Sequence, residues 1–175
     1  MKKYLLAVAI ITLFGANSCK REQPIGKQLP SETHTGAFTF GCKVDGKVYT
    51  AKGKGGLLAN QHVIYGYYSD SSISIYVGNT QSKFNFYFTV KYEGYTGIYL
   101  CKASPYSGTF YDNANGTIPG ASNTYKTDNA NIGKVNIKYF NTAAGSILSG
   151  TFEMDAINAN GKVIHITEGR FDIGF

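Results

Sequence analysis

Beyond its first fourteen residues this chain has no long apolar run. A helix that crosses the hydrocarbon needs about 20 apolar residues, so the mature chain is not expected to span a membrane. The basic residues form no Lys/Arg cluster and match no nucleic-acid module, which sets aside a nucleic-acid partner. No segment repeats its apolar residues at the helical period, so helices are not expected. The signatures H-E-x-x-H, G-x-S-x-G and G-x-x-x-x-G-K-[ST] are all missing. His34, His62 and His165 lie too far apart for a metal spacing, and no cofactor is expected. Tryptophan is absent, so the aromatic supply is 14 tyrosines and 11 phenylalanines.

What is there begins with an address. Lys2 and Lys3 precede an apolar run from Tyr4 to Phe14, and Gly15, Ala16, Asn17 and Ser18 follow, the layout of a secretory signal peptide over residues 1–18. Ala16-Asn17-Ser18-Cys19 fits a loose lipobox, which makes Cys19 the lipid attachment site; an ordinary small-x-small cleavage site is the plainer alternative. The acyl chains of a lipoprotein cysteine hold firmly, because each buried CH₂ adds about 0.8 kcal/mol. The polar stretch that follows, with Pro24, Gly26 and Pro30, reads as a flexible tether over residues 19–35. Loss of Lys2 and Lys3 with the leader lowers the net charge from +6 to +4. Lys20 and Arg21 come before Glu22, which favours the periplasmic face of the outer membrane over the cell surface.

Residues 36–175 read as one all-β domain of about ten short strands, an antiparallel β-sandwich with a small β-barrel as the alternative. Phe38, Phe40, Cys42 and Val44 alternate with polar or small residues. Asp45-Gly46 then supplies a two-residue hairpin turn into Val48 and Tyr49. Further strands are expected over residues 62–68, 73–77, 84–92, 97–102, 109–111, 124–127, 134–140, 147–156 and 162–175. Phe84, Phe86, Phe88 and Val90 make a core stripe. In the last strand the apolar parity flips between Ile166 and Phe171, and Gly169 in that gap suggests a β-bulge. Cys42 and Cys101 are either bridged or two buried thiols, and the sequence leaves both open.

Most polar motifs have a plain reading. Gly53-Lys54-Gly55-Gly56 has no helix after it to complete a phosphate loop, so it reads as a turn. The Asp-Asn-Ala-Asn letters at residues 112–115 and 128–131 suit Asx turns better than calcium. His165, between Ile164 and Ile166, is expected to point away from the core. Asp70, Glu93, Glu153, Asp155, Glu168 and Asp172 are the acids from which a glycosidic carboxylate pair would be drawn, but no spacing selects two of them.

Tyrosine is the remaining signal. Tyr65, Tyr67 and Tyr68, with Tyr92, Tyr95, Tyr99, Tyr106 and Tyr111, sit in or beside turn-rich polar sequence. Exposed rings there would stack on sugars or anchor a protein, and Tyr65, Tyr68, Tyr106 and Tyr111 are the candidate ligand contacts. The favoured function is a non-catalytic binding or accessory module for a glycan or an envelope protein. A polysaccharide-directed hydrolase using a carboxylate pair is one alternative, and a structural assembly subunit pairing through a sheet edge is another.

Leu29-Pro30, Thr39-Phe40-Gly41-Cys42 and Val44-Asp45-Gly46-Lys47-Val48-Tyr49, with Ser149-Gly150-Thr151-Phe152 and Thr167-Glu168-Gly169-Arg170-Phe171-Asp172, resemble landmarks of an envelope lipoprotein family of unknown function from Bacteroides-type bacteria. Tyr49 stands where such proteins often carry tryptophan. The resemblance implies an outer-membrane or periplasmic lipoprotein and carries over no catalytic or ligand residue.

Overall fold

The computed structural model describes residues 28–53, 63–69, 71–78, 84–113, 120–142 and 145–174. The leader, Cys19, His62, Asp70 and Lys54-Gly55-Gly56 lie outside the described residues. The described chain is all-β, with eleven strands and no helix: β1 (Thr39–Val44), β2 (Lys47–Lys52), β3 (Val63–Ser69), β4 (Ser72–Gly78), β5 (Phe84–Lys91), β6 (Gly97–Cys101), β7 (Gly108–Asp112), β8 (Thr124–Lys126), β9 (Gly133–Asn141), β10 (Ile147–Ile157) and β11 (Val163–Gly174).

Every pairing is antiparallel. One run of strands is β6-β9-β10-β11-β1-β2 and a second is β8-β7-β5-β4-β3; a single pairing of Ile157 in β10 with Lys126 in β8 joins them. The two runs face each other over one core, and β3 comes back to touch β2 and β11 without pairing to them, so the sandwich nearly closes into a barrel.

Local chemistry sets the registers. Asp45 (φ 47°) and Gly46 (φ 80°) both take the left-handed conformation that a two-residue hairpin turn with the right twist requires, which pairs Val44 with Lys47. β11 carries the expected bulge. Its pairing with β1 slips between Gly41 and Lys43, and its pairing with β10 slips between Phe152 and Met154. The left-handed residue is Glu168 (φ 51°), one before the glycine. Gly169 has a different role: a Cβ there would sit 2.5 Å from the Phe152 ring and carbonyl. The extra residue lets Ile164 and Ile166, and then Phe171 and Ile173, all face inward.

The core is a stack of phenylalanines. Phe40, Phe152 and Phe171 from the first run meet Phe86 and Phe88 from the second, with Phe40 to Phe86 at 5.2 Å, Phe86 to Phe152 at 5.0 Å and Phe88 to Phe171 at 5.8 Å. Each buried ring contributes about 1.5–3 kcal/mol of transfer free energy. Tyr49 stands edge-on to Phe84 and Phe110, at 5.2 and 5.4 Å.

A tether is expected over residues 19–35, of which residues 19–27 lie outside the described residues; residues 29–36 are held on the outer face of the first run. The carboxylate of Asp172, 1% exposed, accepts from Thr33 Oγ1 (2.6 Å), Thr35 N (3.0 Å) and Gly36 N (2.8 Å). Arg170 Nη1 donates to the Pro30 carbonyl (3.2 Å), Glu32 pairs with Lys138, and His34 Nδ1 lies 2.6 Å from Ser149 Oγ. Too few apolar groups for a core did not mean too few polar partners for a strap.

Candidate functional site: a tyrosine face and its rim

The two outer faces of the sandwich differ in chemistry. On β10 and β11 the outward positions bring Thr151, Glu153 and Asp155 beside His165, Thr167 and Arg170, with Lys134 of β9 next to Glu153 (3.4 Å) and Lys43 of β1 next to Glu168. A shallow depression of about 330 Å³ on this face is lined by Ile98, Lys134, Thr151, Glu153, Glu168 and Arg170, among others. Two of the six suspected acids share it, and each is already in contact with a cation.

The outward positions of β3, β4, β5, β7 and β8 carry no carboxylate. Cross-strand register aligns Tyr65 with Tyr76, Tyr76 with Tyr87, Tyr87 with Thr109 and Thr109 with Lys126, a row running straight across five strands. Tyr67, Ser74 and Thr89 form the next row, and Asn85, Tyr111 and Thr124 flank the first on its other side. Alternation at period two sends these side chains outward while Ile73, Ile75, Phe86 and Phe88 fill the core.

The tyrosines are ordered by one another. The Tyr65 and Tyr76 rings stack at 5.1 Å and 26°. Burial raises the Tyr76 phenol above its ordinary value, and the nearby Tyr65 and Tyr111 raise it further, so it stays a donor at neutral pH. Thr89 Oγ1 donates to the Tyr87 phenol oxygen (2.5 Å) and lies 2.9 Å from Ser74 Oγ, and the Tyr87 O–H reaches Ser74 Oγ at 3.4 Å, so the phenol is tied to both neighbouring side chains. Tyr65 is 51% exposed and Tyr67 63%. Among the described residues the result is a surface of tyrosine, serine, threonine and Asn85, with Lys91 and Lys126 at its ends.

The four candidate tyrosines do not form one group. Tyr65 and Tyr111 belong to this face. Tyr68, three residues from Tyr65, points to the opposite side of β3 and packs edge-on against Phe140 (5.1 Å) and Tyr92 (5.6 Å). Tyr106 is half-buried in the turn between β6 and β7, where its N–H donates to the Ala103 carbonyl, and none of the described contacts joins its ring to the face. Tyr92 and Tyr99 are buried. Tyr76 and Tyr87 escaped notice because they lie inside strands; the even spacing of eleven residues from Tyr65 to Tyr76 to Tyr87 was the signal available.

The remaining candidates are structural. Asp128 Oδ1 accepts from the N–H groups of Ala130 and Asn131 and from the Asn131 side chain, and these bonds hold its carboxyl below the usual range; this is an Asx turn. His165 points outward as expected and its Nδ1 lies 2.7 Å from Asp155 Oδ1, which raises its pKa. Cys42 and Cys101 are free and buried, and burial pushes both thiols up, Cys101 to about 12. Among the described residues no three metal-ligating side chains gather.

No family model, curated protein or solved structure matches the chain. The site therefore stands on its own geometry.

Proposed function

We propose that this chain is a non-catalytic lipoprotein of the bacterial envelope, fixed to the outer membrane through Cys19 and facing the periplasm, that binds a glycan or an envelope protein through the tyrosine face of its second run of strands. Membership of the Bacteroides-type family belongs to the same proposal. The observation that carries it is the row Tyr65, Tyr76 and Tyr87 with Tyr67 and Tyr111 alongside. Rigid rings with hydroxyl tips offer large contact area at small entropic cost. Because the face bears no carboxylate and only terminal lysines, a neutral glycan suits it best of the partners considered.

The test is equilibrium binding of the full chain in detergent to immobilised neutral polysaccharides. Wild type is expected to be retained, with little sensitivity to salt because few charges are engaged, and the double substitution Tyr65→Ala with Tyr67→Ala is expected to abolish retention. Undiminished retention of the double variant would overturn the assignment of the face.

A further inference from the structure

We infer that the cleft at the rim of β3, facing the turn from β9 to β10, is the subsite that grips one pyranose unit of a neutral saccharide. This deepens the glycan reading and rests on it. The cleft has a volume of about 320 Å³ and is lined by Gly66, Tyr67, Tyr68, Phe140, Thr142 and Ser146. That volume falls at the small end of ordinary ligand sites.

Three features fix the ligand class. The first is a braced aromatic wall. Tyr68 is 39% exposed, yet its ring, that of Phe140 and that of buried Tyr92 stand edge-to-face in a closed triad, with Tyr92 to Phe140 at 5.1 Å and 85°. Tyr99 supports Tyr92 from behind at 5.9 Å. Rings that reach solvent at one edge and are locked at the other lose little freedom when a ligand stacks on them.

The second is polarity. Thr142 and Ser146 bring hydroxyls that both donate and accept, beside aromatic ring faces that do neither, and the phenol groups of Tyr67 and Tyr68 add two more. A pyranose has this same division, with an apolar C–H face and a rim of hydroxyls. The third is charge: none of the six described lining residues is ionised, so this lining offers no counter-charge to an anionic or cationic ligand.

Position links the cleft to the face. Gly66 occupies an inward position of β3 between Ile64 and Tyr68 and leaves a gap in the wall, while Tyr67, on the opposite side of the same strand, both lines the cleft and belongs to the tyrosine face. A saccharide held by one unit in the cleft would continue over Tyr67 onto the row that starts at Tyr65.

The experiment is calorimetric titration of the full chain in detergent with cellotetraose, maltotetraose, mannotetraose and xylotetraose. Wild type is compared with Tyr68→Ala, Thr142→Val, Ser146→Ala and Tyr65→Ala, each checked for an unchanged unfolding transition. At least one tetrasaccharide is expected to bind, with losses of about tenfold for Tyr68→Ala and for either hydroxyl removal, the size of one hydrogen bond or ring contact. The exposed Thr142→Val keeps the test sharp if Tyr68→Ala fails to fold. Binding that Tyr65→Ala weakens and the three cleft variants leave unchanged would overturn the cleft and spare the glycan reading. No binding of any of the four saccharides would overturn both.

Discussion

Asp172 shows how one side chain can fix a segment. Burial works to raise its carboxyl, but the hydrogen bonds from Thr33, Thr35, Gly36 and Ala37 outweigh that and hold it below the ordinary carboxylate value. An unfolded aspartate titrates near about 3.9, so the clasp's contribution to stability is complete above that pH and is lost as pH falls through the lower folded value. Urea unfolding over an acidic series is expected to show this loss. Asp172→Asn should flatten the acid limb and cost roughly 1.5–3 kcal/mol at neutral pH, the worth of a hydrogen bond to a charged group. An unaltered acid limb in the variant would mean that the strap is held elsewhere.

The cysteines give a second check at this scale. Burial keeps Cys42 and Cys101 protonated, so neither should react with a thiol reagent in the folded chain. After denaturation the mature chain is expected to titrate two thiols, because acylation would block Cys19; three thiols would contradict lipidation.

Among the elements, the turn from β1 to β2 and the bulge of β11 show two different uses of glycine. Gly46 is needed for its positive φ and has nothing within 4 Å of a would-be Cβ, so Gly46→Ala should cost about 1–2 kcal/mol of backbone strain. Gly169 is needed for close approach to Phe152, where the nearest atoms include a backbone carbonyl that cannot swing aside. Gly169→Ala is therefore expected to be the costlier change, roughly 3 kcal/mol by overpacking, as chemical denaturation of the two variants would measure.

The strands were legible because alternation and turn residues agree with one another along the whole domain. Phe84, Phe86 and Phe88 read as core and are fully buried, and the parity flip before Phe171 announced the bulge. Face assignment was less legible. Whether Tyr65 and Tyr68 share a surface depends on which side of β3 looks inward, and whether Tyr76 and Tyr87 join Tyr65 depends on cross-strand register, which composition does not carry. The strap was hidden for a related reason, since its partners, Ser149, Arg170 and Asp172, lie more than a hundred residues away. Several of the residues that carry the family resemblance have a packing role: Gly41 makes room for Pro30, Gly150 for the Asn136 carbonyl, Gly169 for Phe152, and Asp172 holds the strap.

On the scale of the whole molecule the two faces differ in charge. The first run carries all but one of the described ion pairs, the exception being Lys91 with Glu93 at the end of β5, and it carries the N-terminal strap, so the described chain from residue 28 meets the sandwich on its charged side. The tyrosine face lies on the other run. Exposed ion pairs add little stability, about 0–1 kcal/mol each, and the charged face is what a solvated surface requires. The tyrosine face, where five tyrosines are held by register and stacking and the strands' outward positions carry no carboxylate, is the one that solubility does not explain.

Hydrogen exchange of the full chain in detergent, free and saturated with its tightest-binding neutral saccharide, tests this division most directly. Expected is slowed exchange across residues 63–69 and 72–78, with residues 133–142 and 145–157 changed only where the cleft touches Phe140, Thr142 and Ser146. Protection confined to Lys134, Glu153 and their neighbours on the charged face would contradict it.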